Sequence, residues 1–192
     1  MSTTVATEIP TGTWSIDPVH SSIGFGVKHF GVSTFRGSFK AAAGTLVTEG
    51  GALRSVEGTV LVENLVTEEP QLTGHLASED FFDAAKHPEI TFRSTSVETL
   101  EGDKLRISGD LTIRGVTKSA TLLVNGPTAP QKAPWGTVAR GVSATGRVNR
   151  KDWGLNWNAV IEAGGFVVGD DVELTFEAEL VPVKAQEAPA AH

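Results

Sequence analysis

TWSIDPVHSSIGFGVKHFGVSTFRGSF, residues 13–39, is the stretch on which the rest of the chain turns. Within it Ile23, Phe25 and Val27 alternate with Ser22, Gly24, Gly26 and Lys28, the period-two pattern of a strand with one apolar face. Glycine at two successive outward positions weakens an ordinary strand, and suits one that bends sharply or admits a close neighbour. A sheet curling into a barrel meets that requirement better than a flat one. The chain then turns through Gly31 and returns, with Phe35 and Phe39 able to pack inward.

Working outward, the same alternation recurs. After a Glu-Gly-Gly turn at 49–51, Val56, Gly58, Val60 and Val62 alternate with Glu57, Thr59, Leu61 and Glu63. Pro70 to Lys86 breaks the pattern: Leu72, Leu76 and Phe82 fall near helical spacing, which predicts a helical connection ended by His87-Pro88, because a residue before proline is pushed out of the helical region. From Glu89 strands resume, with Ile90 and Phe92 on one face, then Leu105, Ile107, Leu111 and Ile113, then Ala120, Leu122 and Val124. Val138, Val142 and Val148 mark another strand, residues 150–155 suit one helical turn, and Val172 to Leu180 alternate to the end of the domain. About eight strands with turn signals between them fit either a closed barrel or a sandwich.

The 192 residues suit one domain, expected over 12–183, with small and polar tails at 1–11 and 184–192. Acidic residues exceed basic ones by 23 to 16, giving a net charge of −7, and the basic residues form no run. That argues against a nucleic-acid partner and against a polybasic membrane anchor. There is no cysteine, which removes disulfides and thiol chemistry. No stretch has the length of a membrane-spanning helix. The start, MSTTVATEIPTG, has neither a basic run nor an apolar segment of signal length, so the expected location is cytoplasmic.

Five blocks together resemble the YceI-like family of lipocalin-like, polyisoprenoid-binding proteins. They are WSIDPVHSSIGFGVKHFGVSTFRGSF (14–39), HLASEDFFDAAKHPEITFRST (75–95), LRISGDLTIRGVTKSATLLV (105–124), GRVNRKDWGLNW (146–157) and VGDDVELTFEAEL (168–180). They keep the family's order and spacing over nearly the whole domain. The resemblance implies an all-β fold, an eight-stranded antiparallel lipocalin-like β-barrel with a short helical insert, of bacterial type. It further implies that the interior holds a polyisoprenoid or similar long apolar molecule, and it allows a homodimer. Many members carry a leader and are periplasmic, a pattern from which this start departs.

An eight-stranded barrel is at the size where side chains fill the interior or leave room for one small ligand. Apolar strand faces are ordinarily packed core, but an inward set rich in valine, alanine and glycine leaves volume unfilled. The residues expected to line such a cavity are Phe25, Val27, Val60, Val62, Phe92, Ile107 and Val142, with His29, on the apolar parity of its strand, as the polar contact. Val62→Trp is expected to block the cavity. His20, near Asp17, and His75 are candidates for a mouth. Asp83 and His87, four residues apart with Glu79 and Asp80 nearby, carry only a weak suggestion of a metal. Arg147, Arg150 and Lys151 beside Trp153 could meet a phosphate head group, or be an exposed turn with ordinary surface charge. No GxSxG, Walker or dinucleotide motif is present, so the expected function is non-enzymatic lipid binding, storage or transport without a cofactor. The rivals are a lipid-modifying enzyme acting at the mouth and a solid barrel serving protein interaction or stress response.

Overall fold

In the computed structural model, which describes residues 9–134, 136–160 and 165–183, the alternating stretches form twelve antiparallel strand segments of one sheet. These are β1 (Gly12–Ile16), β2 (Ser22–His29), β3 (Ser33–Phe39), β4 (Ala43–Glu49), β5 (Ala52–Leu61), β6 (Leu65–Val66), β7 (Glu89–Thr99), β8 (Lys104–Ile113), β9 (Val116–Asn125), β10 (Gln131–Lys132), β11 (Val138–Asn149) and β12 (Val168–Pro182). The sheet closes because β11 pairs with β9 on one edge and β12 on the other. The hydrogen-bonded ring runs β11-β9-β8-β7-β5-β4-β1-β12 and back to β11, a closed eight-stranded antiparallel barrel. Closure leaves this ring without a free sheet edge.

The long β12 explains why twelve segments make an eight-stranded ring. Its edge away from β11 carries β1 at Leu180–Pro182 and β2 further along, with Phe176 opposite Ile23 and Val172 opposite Val27. β1 and β2 therefore act as one strand interrupted at residues 17–21, and β2 passes the sheet on to β3 and β6. Register shifts in β4–β5, β7–β8 and β12–β2 supply bulges, which raise local twist and curvature. The outward glycines of β2 admit close neighbours: a Cβ on Gly24 would stand 2.7 Å from Thr175 Oγ1.

The connection between β6 and β7 holds the one α-helix among the described residues, α1 (Pro70–Ala77). Pro70 occupies its first turn and the Glu69 side chain caps it by accepting from the Gln71 amide. The helix is shorter than the periodicity predicts. The Ser78 hydroxyl donates to the His75 carbonyl, and a serine that bonds the backbone in this way competes with helix continuation. The chain then coils through turns in which the Ser78 carbonyl accepts from the amides of Phe81 and Asp83. Residues 150–153 do form a short 3-10 turn, capped by Asn149.

The expected tail at 184–192 and residues 1–8 of the other lie outside the described residues. Residues 9–11, also assigned to a tail from sequence, are docked: Ile9 is buried and bridges to Gly51, and the Pro10 carbonyl accepts from the Thr48 hydroxyl. The bulk of Ile9 is the reason, since it covers apolar surface at one end of the barrel.

Candidate functional site

Two apolar clusters share the interior. One contains Phe39, Val60, Leu65, Leu76, Phe81, Leu111 and Trp153; the other contains Ile9, Trp14, Leu46, Leu53, Ile107, Leu122 and Leu180. Between them lies a cavity of about 530 Å³ whose wall is overwhelmingly apolar. It reaches the exposed Lys28 and Ser33, where β2 turns into β3.

The wall is opened by glycine on inward positions. Phe25 lies against Gly37 on the neighbouring strand, where an added Cβ would come within 2.5 Å of its ring. Phe92 lies against Gly109 in the same way, at 2.6 Å. A ring laid over glycine stays against the wall and out of the lumen, which makes the sheet a thin shell around an open space. Phe25 also meets Phe35, Phe39 and Phe82 at centroid distances of 5.9 to 6.5 Å within their cluster.

Seven of the eight residues expected to line a cavity do so: Phe25, Val27, His29, Val60, Phe92, Ile107 and Val142. Val62 does not belong to the wall. It begins a 3-10 turn, Val62–Asn64, after β5 and is only 1% exposed. The alternation predicts strand through Glu63, two residues past Leu61, where the chain leaves the sheet. Tryptophan there would overpack a filled site rather than block the cavity. Residues that sequence reasoning did not select also line the wall, including Leu122, Ala144, Leu174 and Phe176 on strands, and Leu72 and Trp157 from the covering segments. The strand residues had the right parity; the two others come from connections, and even the helical spacing that includes Leu72 does not show where on the barrel its helix packs.

Polar groups on the wall are few. His29 sits with its ring 4.2 Å from that of Phe30 at the β2–β3 end. His75 lines the cavity from α1, its Nε2 paired at 3.0 Å with Asp80 and its ring edge-on to Phe81 and Trp157. His20 is not on the wall. It lies outside, at the β1–β2 interruption, where its Nδ1 meets Asp17 Oδ2 at 3.1 Å and Asp17 Oδ1 accepts from the Val19 amide. The hydrogen bond to Asp17, then its charge, raises the His20 pKa above 6.5, and the same bond foremost lowers that of Asp17 below 3.8. Asp17, His20 and Glu179 place ligand-type atoms within 4.8 Å of one another, an arrangement that the turn itself accounts for. Asp83 is buried and paired with Lys86 at 3.1 Å, with its carbonyl accepting from the His87 amide, so its surroundings are those of a turn-stabilising carboxylate.

The basic group at 147–151 also has a structural occupation. Arg150, 5% exposed, donates to the carbonyls of Gly169, Leu155, Trp157 and Val168. Arg147 pairs with Asp171 at 3.0 Å and Lys151 with Asp170 at 2.9 Å. These cations hold the start of β12 and are spent on protein groups, which removes them as a phosphate site. At the opposite end Trp14 Nε1 donates to Thr48, and the buried Arg140 guanidinium stacks over the Trp14 ring at 5.5 Å and donates to the Thr128 carbonyl. That end is plugged.

A closed antiparallel barrel around an apolar cavity, plugged at one end, has the build of a lipid-binding barrel. The comparisons with known proteins agree: the chain belongs to the YceI-like family, whose domain matches residues 14–180. The protein SA2479 of Staphylococcus aureus (strain N315), of the UPF0312 group, is 32% identical over 169 residues, covering 86% of this chain and 95% of that protein. Among solved structures, the Campylobacter jejuni YCEI protein is 26% identical, with a TM-score of 0.69, covering 82% of this chain and 90% of that one. A polyisoprenoid binding domain from Saccharophagus degradans, implicated in plant cell wall breakdown, shares the fold at 15% identity and a TM-score of 0.60, over 88% of this chain and 98% of that one.

Proposed function

We propose that the barrel binds a long apolar isoprenoid-type lipid without chemically changing it, and so stores or carries it. The enclosed cavity of about 530 Å³ with its apolar wall carries this reading. At about 30 Å³ for each water-sized group, it has room for on the order of 18 non-hydrogen atoms, between three and four isoprene units. A longer chain would have to fold back or emerge at the β2–β3 end. The polyisoprenoid binding named for the Saccharophagus degradans neighbour supports the same ligand class.

Burial of the chain sets the affinity. Ten methylene equivalents contribute roughly 8 kcal/mol gross at ~0.8 kcal/mol each, whereas one head-group hydrogen bond adds only ~1 kcal/mol. Chain length would therefore govern binding strength, and His29 and His75 would govern which way the head group points. Native mass spectrometry of the purified protein, followed by organic extraction, tests the reading. A stoichiometric prenyl compound is the expected result; an empty barrel that also fails to take up added farnesol would overturn it.

A further inference from the structure

We propose that the β2–β3 end of the barrel docks on a lipid bilayer through Phe30, Val32, Val160 and Phe166, so that the ligand moves between bilayer and cavity without crossing water. The proposal rests on the lipid-binding reading above and adds a partner surface to it. These four side chains are 46%, 84%, 79% and 61% exposed, although large apolar groups ordinarily withdraw from water. They also belong together. The Phe30 amide donates to the Val167 carbonyl at 2.9 Å, and Val160 bridges to Phe166, so the β2–β3 turn, Val160 and Phe166–Val167 form one rim.

That rim adjoins the cavity: His29, Ser33 and Val167, the chain neighbours of Phe30, Val32 and Phe166, are wall residues. Phe30 is held there against its own backbone preference. Its φ is 53°, in the left-handed region, with Gly31 following at 68°. A tight hairpin turn needs positive φ at both central positions and favours asparagine or glycine at the first. A phenylalanine in that place, with its ring half in water, serves neither the turn nor the core.

Size and charge favour a bilayer over a protein partner. A stable protein interface uses about 20–30 residues a side, far more than four. Amphipathic rims need only a few aromatic and aliphatic side chains to insert at the headgroup and acyl boundary. The chain carries a net charge of −7, which an anionic surface would repel, but the acids at the start of β12 are neutralised locally: Asp170 by Lys151 and Asp171 by Arg147. Lys28 on the cavity wall beside the rim adds a cation at the level of lipid phosphates.

The test uses the full chain and the variant Phe30→Asn/Val32→Ser/Phe166→Ser, none of whose positions lines the cavity. Both proteins are floated with phosphatidylcholine vesicles, and both are offered farnesol, either delivered from ethanol or preloaded in the vesicles. Docking predicts that the wild type floats with vesicles, that the folded variant floats at least tenfold less, and that only its uptake from vesicles slows. Equal flotation of the two, or none by the wild type, would overturn it. A wild-type dimer that the variant loses in sedimentation, without vesicle binding, would give the rim to a second copy of the chain instead. Flotation with no farnesol uptake by either route would leave docking standing and sink the lipid-binding reading.

Discussion

The two ends of the barrel handle polar and apolar groups in opposite ways. At the plugged end polar groups are turned inward and tied to their surroundings: Trp14 bonds Thr48, Thr48 bonds Pro10, and Arg140 lies over the Trp14 ring and donates to the Thr128 carbonyl. At the β2–β3 end the apolar groups are turned outward, with Phe30, Val32 and Phe166 in water beside the cavity. Buried polar groups with partners fix a single structure, and exposed apolar groups fix none. The difference separates the part of the molecule built for stability from the part that the proposed docking would use for exchange.

The largest expected effect lies at the plugged end. Arg140→Ala strips the Trp14 ring of its cation and leaves the Thr128 carbonyl without that donor; the loss should be about 2–4 kcal/mol in urea unfolding. If it cost no more than an ordinary surface substitution, the plug would not be the stabilising end. On the wall between the ends, Gly37→Ala would push the Phe25 ring into the lumen. We expect a cost of about 1–2 kcal/mol and a shift of preference toward a shorter prenyl chain, measured by unfolding and by competition between geraniol and farnesol.

At the open end the sign reverses. Phe30→Asn suits the positive φ of 53° better than phenylalanine, and should raise stability by about 1 kcal/mol as read by thermal unfolding. The smallest effect is electrostatic and belongs to neither end. Because Asp17 raises the His20 pKa and is itself lowered, the pair is fully charged between the ordinary values of 3.8 and 6.5. Its contribution fades in acid as pH falls through the lowered Asp17 pKa, and in base as pH rises through the raised His20 pKa. An NMR titration should give His20 a midpoint above 6.5, returning toward 6.5 in Asp17→Asn; equal midpoints in both proteins would remove the interaction.

The strands were legible in the sequence because each had one apolar face, but that alternation fits a sandwich as well as a barrel, and it was the resemblance to the YceI-like family that selected the barrel; the seven lining residues share the apolar parity of their strands. Three features were not legible. The alternation through Val60 ran on into Val62 although the chain had already left the sheet for a 3-10 turn, because valine looks the same in both. The role of Gly37 and Gly109 depends on cross-strand register, which puts each opposite Phe25 or beside Phe92. Arg150 read as surface charge, since nothing in its neighbours shows that carbonyls of the loop just after it and of the start of β12 converge on it.

The central claim is that an apolar lumen of fixed size sets affinity. Isothermal titration of geraniol, farnesol and geranylgeraniol into the wild type and into Ala144→Phe, which adds a ring to the cavity wall, tests it most directly. The account predicts affinity that climbs with chain length until about four isoprene units fill the lumen, and a variant that stays folded but binds farnesol at least about tenfold more weakly, ~1.4 kcal/mol. Affinity indifferent to chain length, and unchanged by the added ring, would contradict it.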